Sequence, residues 1–327
     1  FKDSGQTSGC DFECSGCRKA EDNLVISKDT RLCPYTYNIQ DLGVLGVISI
    51  GASNVELNCS GAELIGVATG SGWGIKNLGY DYVTIRDCKI HNYYLGIAFE
   101  AGSNYGAILN NNVSANTGGI RLWGSNFGDI INNVANSNVQ AGLIVTQNSD
   151  GNLLKNNIVK GNPYGIALYS GSDNNIVKFN KVTGNSHGIY IYDSDSNFMH
   201  GNIVEGNTNT GVFFATINSN GNTLDHNRVC ANSLDINDID TNSGDNNFCS
   251  TTSNWDDTGT TGCTFSCLLG DVDIDSDVDG YDLYILSRGF GSILGSPVYH
   301  PGADVDVDDD IDRDDLIIFN GNFGKTS

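Results

Sequence analysis

The chain has 327 residues, ten cysteines and a net charge of −22, from 39 Asp and Glu against 17 Lys and Arg. That balance argues against nucleic acid or an anionic membrane as a partner. The sequence contains no apolar run of the roughly 18 residues that a membrane span needs, while its length allows a large core and a second small domain. The chain begins at Phe1 rather than Met, which reads as a mature or trimmed form.

The first forty residues are rich in cysteine. Cys10, Cys14, Cys17, Cys33, Cys59 and Cys88 form one cluster, and Cys230, Cys249, Cys263 and Cys267 form another. An even number at two separated places reads as disulfides in an oxidising compartment, with pairings that spacing alone does not decide. The competing reading is half a zinc site at Cys14-x-x-Cys17, completed by Cys10 or Cys33, although zinc-ribbon spacing is missing.

Between the clusters a glycine and an aliphatic residue recur every 23 residues: Gly96-Ile97, Gly119-Ile120, Gly142-Leu143, Gly165-Ile166, Gly188-Ile189 and Gly211-Val212. A fixed period in this range means stacked repeats. A second apolar residue follows two places later in each copy, from Phe99 to Phe214, which is the alternation of a short strand. Ile108, Ile131, Leu154 and Val177 mark another strand per repeat. Gly74-Ile75 and Leu234 extend the series, and the segments 54–57 and 82–85 read as further strands. The Asn pairs between strands tolerate tight turns and can stack in hydrogen-bonded ladders.

This pattern predicts an all-β parallel β-helix of about eight or nine rungs. Leucine-rich repeats need a Leu signature that is missing, and a left-handed β-helix needs a hexapeptide period. The string 50–62 (Ile-Gly-Ala-Ser-Asn-Val-Glu-Leu-Asn-Cys-Ser-Gly-Ala), followed by Asn/Ser-rich Gly-Ile-x-Leu rungs, resembles the NosD-like right-handed parallel β-helix repeat family over residues 40–250. The resemblance implies carbohydrate-binding or carbohydrate-cleaving relatives of the cell surface and periplasm.

The tail alternates Asp with apolar residues twice. Asp271, Asp273, Asp275, Asp277, Asp279 and Asp282 occupy positions 1, 3, 5, 7, 9 and 12 of one loop, and Asp304, Asp306, Asp308, Asp310, Asp312 and Asp315 those of a second. This is the EF-hand ligand spacing for Ca²⁺, with position 7 supplying its carbonyl and position 9 acting through water. Val278 and Ile311 at position 8 suit a paired-loop core. The usual glycine at position 6 is replaced by Ser276 and Asp309, which predicts a distorted loop or weaker affinity. Short helices are expected at Leu283–Phe290 and Leu316–Phe323.

The duplicated loop–helix unit, with Asp at position 12, resembles a dockerin over residues 269–327. The resemblance implies two Ca²⁺ sites and docking to a cohesin-like domain. The positions that choose the partner are Gly280-Tyr281 and Arg313-Asp314, so the Ser/Thr pairs of cellulosomal members are missing.

Outward positions of the regular strand place Glu100, Trp123, Thr146, Tyr169 and Tyr192 in one row, with Tyr190 and Phe213 beside it. Such a row can stack sugar rings, contact a protein, or be covered by loops of the same chain. Glu100, Arg121, His187, Asp193 and Asp195 are the candidates for cleavage chemistry, but they do not converge. Arg121 reads as the ion-pair partner of Glu100, and the two Asp as turn residues. Asn58 and Asn112 match the glycosylation pattern, which carries little weight in so Asn-rich a chain.

The reading is thus a cysteine-rich cap (1–40), a β-helix (41–249), a linker or cap (250–268) and a calcium-binding tail (269–327). Its first function is an extracellular rod that docks, or assembles into filaments with neighbouring copies, through the tail. The alternative is a carbohydrate-active protein, either a glycan-binding adhesin or, if an enzyme, a polysaccharide lyase or glycoside hydrolase. The lack of a convergent catalytic set weighs toward a non-enzyme.

Overall fold

The computed structural model describes residues 16–43, 45–66 and 72–326. Cys10 and Cys14 lie outside them. The chain winds into a parallel β-helix of about nine turns. Among the described residues three sheets run along it, with 11, 10 and 9 strands. Sheet 1 runs from Leu24–Ile26 to Thr252–Ser253, sheet 2 from Thr30–Arg31 to Ser243–Asp245, and sheet 3 from Thr36–Asn38 to Arg228–Cys230. Pairing therefore starts inside the segment read as a cap.

The expected Gly-aliphatic rows stack in sheet 1. Ile97, Ile120, Leu143, Ile166, Ile189 and Val212 pair in sequence and are fully buried. The glycine is there because the corner is too tight for a side chain. A Cβ on Gly188 would lie 2.5 Å from the Gly211 carbonyl oxygen and 2.5 Å from Val204 Cγ1. At the last full rung Ile236 pairs with Val212 and Leu234 with Thr210, one residue later than strict periodicity places them.

Two further departures concern the other sheets. The second apolar row runs Ile108, Ile130, Leu154 and Val177, so Ile130 is inward and Ile131 is not. The turn before it is one residue shorter than its neighbours, and a slip of one residue turns every side chain over. Segments 54–57 and 82–85 lead into this sheet, where Leu57 pairs with Ile85. The third strand per turn, with Val113, Ala135, Val159 and Val182 inward, was not foreseen.

Buried asparagines stack in three ladders. One runs Asn111, Asn133, Asn157, Asn180, Asn202, Asn227 and Asn247. The second runs Asn116 to Asn232 and the third Asn152 to Asn242. At most steps the backbone N–H and the Nδ2 of one Asn both donate to Oδ1 of the next. The last Asn therefore needs a pure acceptor. Each ladder ends on an aspartate: Asp257, Asp235 and Asp238 respectively.

Among the described residues four disulfides fasten the ends: Cys17–Cys33, Cys59–Cys88, Cys230–Cys267 and Cys249–Cys263. Cys17 is thus committed to Cys33 and unavailable to a zinc site. Trp255 closes the C-terminal end of the core by stacking on Phe214 at 5.9 Å.

The tail carries helices α1 (Gly280–Gly289) and α2 (Arg313–Asn322), which begin three residues before the expected points. Val272, Val278, Leu286, Ala303, Ile311 and Phe319 form its own core. It does not hang free. Val305 and Val307 pack with Cys230, Phe248 and Phe265 of the β-helix end, and Arg228 donates to the Val305 carbonyl at 2.8 Å.

Candidate functional site

The two aspartate loops share one hydrogen-bond frame. In the first, Asp271 accepts from the N–H groups of Asp275 and Ser276, and Asp282 accepts from those of Val272, Asp273 and Asp279. In the second, Asp304 accepts from Asp308 and Asp309, and Asp315 from Val305, Asp306 and Asp312. Positions 9 and 12 also form the capping box of each helix, Asp279 with Asp282 and Asp312 with Asp315. Position 6 keeps its sharp turn without glycine: Ser276 and Asp309 sit at φ 79° and 78°.

These frames leave oxygens over. Asp271, Asp273 and Asp282 bring carboxylate oxygens within 4.8 Å of one another, as do Asp304, Asp306 and Asp315. Asp277 and Asp279 join Asp282 in the same way, and Asp310 and Asp312 join Asp315. Among the described residues Oδ1 of Asp273, Asp277, Asp306 and Asp310 is buried without a hydrogen-bond partner. Burial pushes Asp304 up to about 7 and Asp306 up to about 8, with neighbouring carboxylates adding to the rise. Converging, crowded oxygens of this kind fit a hard divalent cation.

The second candidate is the outer face of sheet 1. Glu100, Trp123 and Thr146 are register neighbours, as are Tyr169 and Tyr192. Trp123 and Tyr192 are exposed, and Tyr169, Tyr190 and Phe213 are half-buried. Sequence reasoning missed two members of the aromatic group. Tyr164 stands 4.8 Å from Tyr190 and 6.3 Å from Tyr169. His187 stacks between Tyr164 at 5.5 Å and Phe213 at 5.7 Å. Burial lowers its pKa, and its Nε2 lies 3.1 Å from the Asn209 amide, an acceptor's position.

Further along the face, Glu100 pairs with Arg121, as expected, and also with Lys76 at 3.4 Å. Lys76 lies over the Trp73 ring at 3.9 Å and Arg121 over Trp123 at 5.0 Å. The signal for Trp73 and Lys76 was present one rung upstream, since Trp73 pairs with Leu95 and Lys76 with Ala98. Among the described residues Nε of Arg121 and Nε1 of Trp73 are buried without a hydrogen-bond partner.

The cleavage candidates do not meet. Each Glu100 oxygen has a cation, so it is no free base. Asp193 accepts from Thr216, and Asp195 accepts from the Asn220 N–H, both as turn residues.

Residues 55–266 match the model of the family described as "Periplasmic copper-binding protein (NosD)". No curated protein matches. Among solved structures, pectate lyase Pel9A superposes with a TM-score of 0.59 at 14% identity, over 81% of this chain and 87% of that one. The periplasmic alginate epimerase AlgG gives 0.54 at 16%, over 74% and 62%. The Azotobacter vinelandii mannuronan C-5 epimerase AlgE6 A-module gives 0.51 at 14%, over 73% and 89%. At such identities the likeness shows the fold alone. The family match spans more than half of the sequence, and the chain belongs to the NosD family of parallel β-helix proteins.

Proposed function

We propose that this chain is a secreted or periplasmic glycan-binding β-helix, with a tail that folds around two Ca²⁺ ions and attaches it to a partner. The observation that carries the reading is the outer face of sheet 1. Trp73 and Trp123 flank Lys76, Glu100 and Arg121, and the Tyr164–Tyr169–Tyr190–Tyr192 group continues the same face. Aromatic faces stack on sugar rings, and Lys76 and Arg121 bring two cations to this face of an otherwise acidic protein. An acidic polysaccharide suits this face best. Pectate and alginate, from which the similarly folded pectate lyase and alginate epimerase take their names, are the first to try. The test is affinity electrophoresis through gels holding pectate, alginate or a neutral glucan. Retardation that Trp123→Ala and Tyr192→Ala abolish is the expected outcome. Free migration of the wild type in every gel would end the reading.

The family description names copper. The tail loops offer only oxygen, which suits Ca²⁺ rather than copper. Four disulfides support an oxidising compartment.

A second reading, of a rod that docks or polymerises through its tail, is supported by the tail's free surface. Tyr281, Tyr284, Phe290, Ile293 and Val298 are exposed there, although the opposite side of the tail is seated on the β-helix. Tyr281 occupies one of the positions that the dockerin resemblance assigns to partner choice. A cohesin-like domain or a neighbouring copy is the partner proposed. Negative-stain microscopy in calcium and after chelation separates end-linked particles from single ones.

A further inference from the structure

Where the tail meets the β-helix, ligand atoms of His200, Asp225 and His226 lie within 4.8 Å of one another. His200 and Asp225 are register neighbours on sheet 2. His226 follows at a left-handed φ of 51°, and its ring stands 5.4 Å from that of His200. Asp225 Oδ2 is 3.4 Å from His200 Nδ1 and 3.0 Å from His226 Nδ1. Both contacts are ion pairs rather than aligned hydrogen bonds, and among the described residues His226 Nε2 has no hydrogen-bond partner. Yet His200 and His226 are only 6% and 8% exposed. Buried imidazoles with unmet nitrogens are costly unless something else occupies the space between them.

One metal ion would satisfy this geometry. Ligands bound at about 2.0–2.2 Å in a tetrahedral shell stand roughly 3.3 Å apart, close to both measured separations. His200 Nε2, on the far side of its ring, meets Asp309 Oδ1 at 2.7 Å. A carboxylate behind a ligating imidazole fixes its tautomer and aims its other nitrogen. Two nitrogens and an oxygen form a borderline donor set. Among the described residues sulfur donors are not to hand: the cysteines are in disulfides and Met199 is sealed in the core.

We propose that His200, Asp225 and His226 hold one divalent transition-metal ion of the zinc class at the joint between β-helix and tail, with Asp309 as the positioning residue. The site differs in kind from the oxygen-only loops and would lock the tail's seat.

Titration calorimetry of Zn²⁺ into the full chain, in buffer already saturated with calcium, tests this with the aspartate loops filled. One Zn²⁺ per chain is expected. His226→Gln and His200→Gln should each weaken it by well over about tenfold, and Asp309→Asn by about 10–100-fold with the stoichiometry kept. Unchanged far-ultraviolet dichroism in the variants certifies their fold. No zinc uptake by the wild type, or equal uptake by both His variants, would overturn the proposal. The cluster would then be a metal-free ion-pair clamp, with His200 between Asp225 and Asp309.

Discussion

Asp309 meets His200 Nε2 at 2.7 Å, while its own backbone N–H donates to Asp304 at 3.0 Å. One residue at turn position 6 therefore joins the second aspartate loop to the β-helix. Its φ of 78° would suit glycine better. Asp309→Gly should relieve the backbone and remove the dock. Calcium affinity of the second loop should hold or rise, while backbone amides of segment 303–309 exchange hydrogen faster. Calorimetry and hydrogen exchange read the two effects separately. Unchanged exchange would show that Val305 and Val307 seat the tail unaided.

Calcium removal tests the tail as a whole. Position 12 of each loop, Asp282 or Asp315, is fully buried, and 14 Asp crowd residues 270–327. Without a cation these carboxylates repel, and metal binding and folding should be one event. Chelation is expected to melt α1 and α2, seen as lost helical dichroism and protease cuts beyond residue 268. The β-helix, with its own core and disulfides, should survive as a resistant fragment. A tail equally resistant with and without chelator would refute the coupling.

Much of this was legible in the chain itself, and the reason is physical. Gly188 is demanded by a corner that no Cβ can enter, so the period is written directly in the sequence. The clustering of the loop carboxylates likewise follows from their alternate spacing along the chain. What stayed hidden depends on packing across distance. Asp309 looked like a defect at a glycine position because its partner, His200, lies 109 residues away. Ile131 looked inward because turn lengths vary by one residue, a change that periodicity cannot register. Lys76 escaped because its role depends on Glu100, one rung later.

The ladder endings predict a stability cost at a residue far from either site. Asp257 accepts from the Asn247 N–H and Nδ2, from Trp255 Nε1 and from the Thr264 N–H. Asp257→Ala would strand several donors, each costing about 1–3 kcal/mol if left buried. A fall in melting temperature is expected, with Asp257→Asn intermediate because it keeps one acceptor oxygen. Wild-type melting in Asp257→Ala would mean that water replaces the carboxylate without loss.

His187 offers a titration on the sheet face. Burial among Tyr164, Tyr190 and Phe213 holds its pKa below the ordinary 6.5. The unfolded chain therefore takes up a proton at a higher pH than the folded one. The sign follows from that difference: stability from this residue is whole above about 6.5 and is lost as pH falls toward the lower folded value. His187→Phe keeps the ring stack and cannot titrate. Its melting curve should lose less than the wild type between pH 7 and 5, and the imidazole resonance of the wild type should titrate below the free value. A normal titration midpoint would show instead that water reaches the ring.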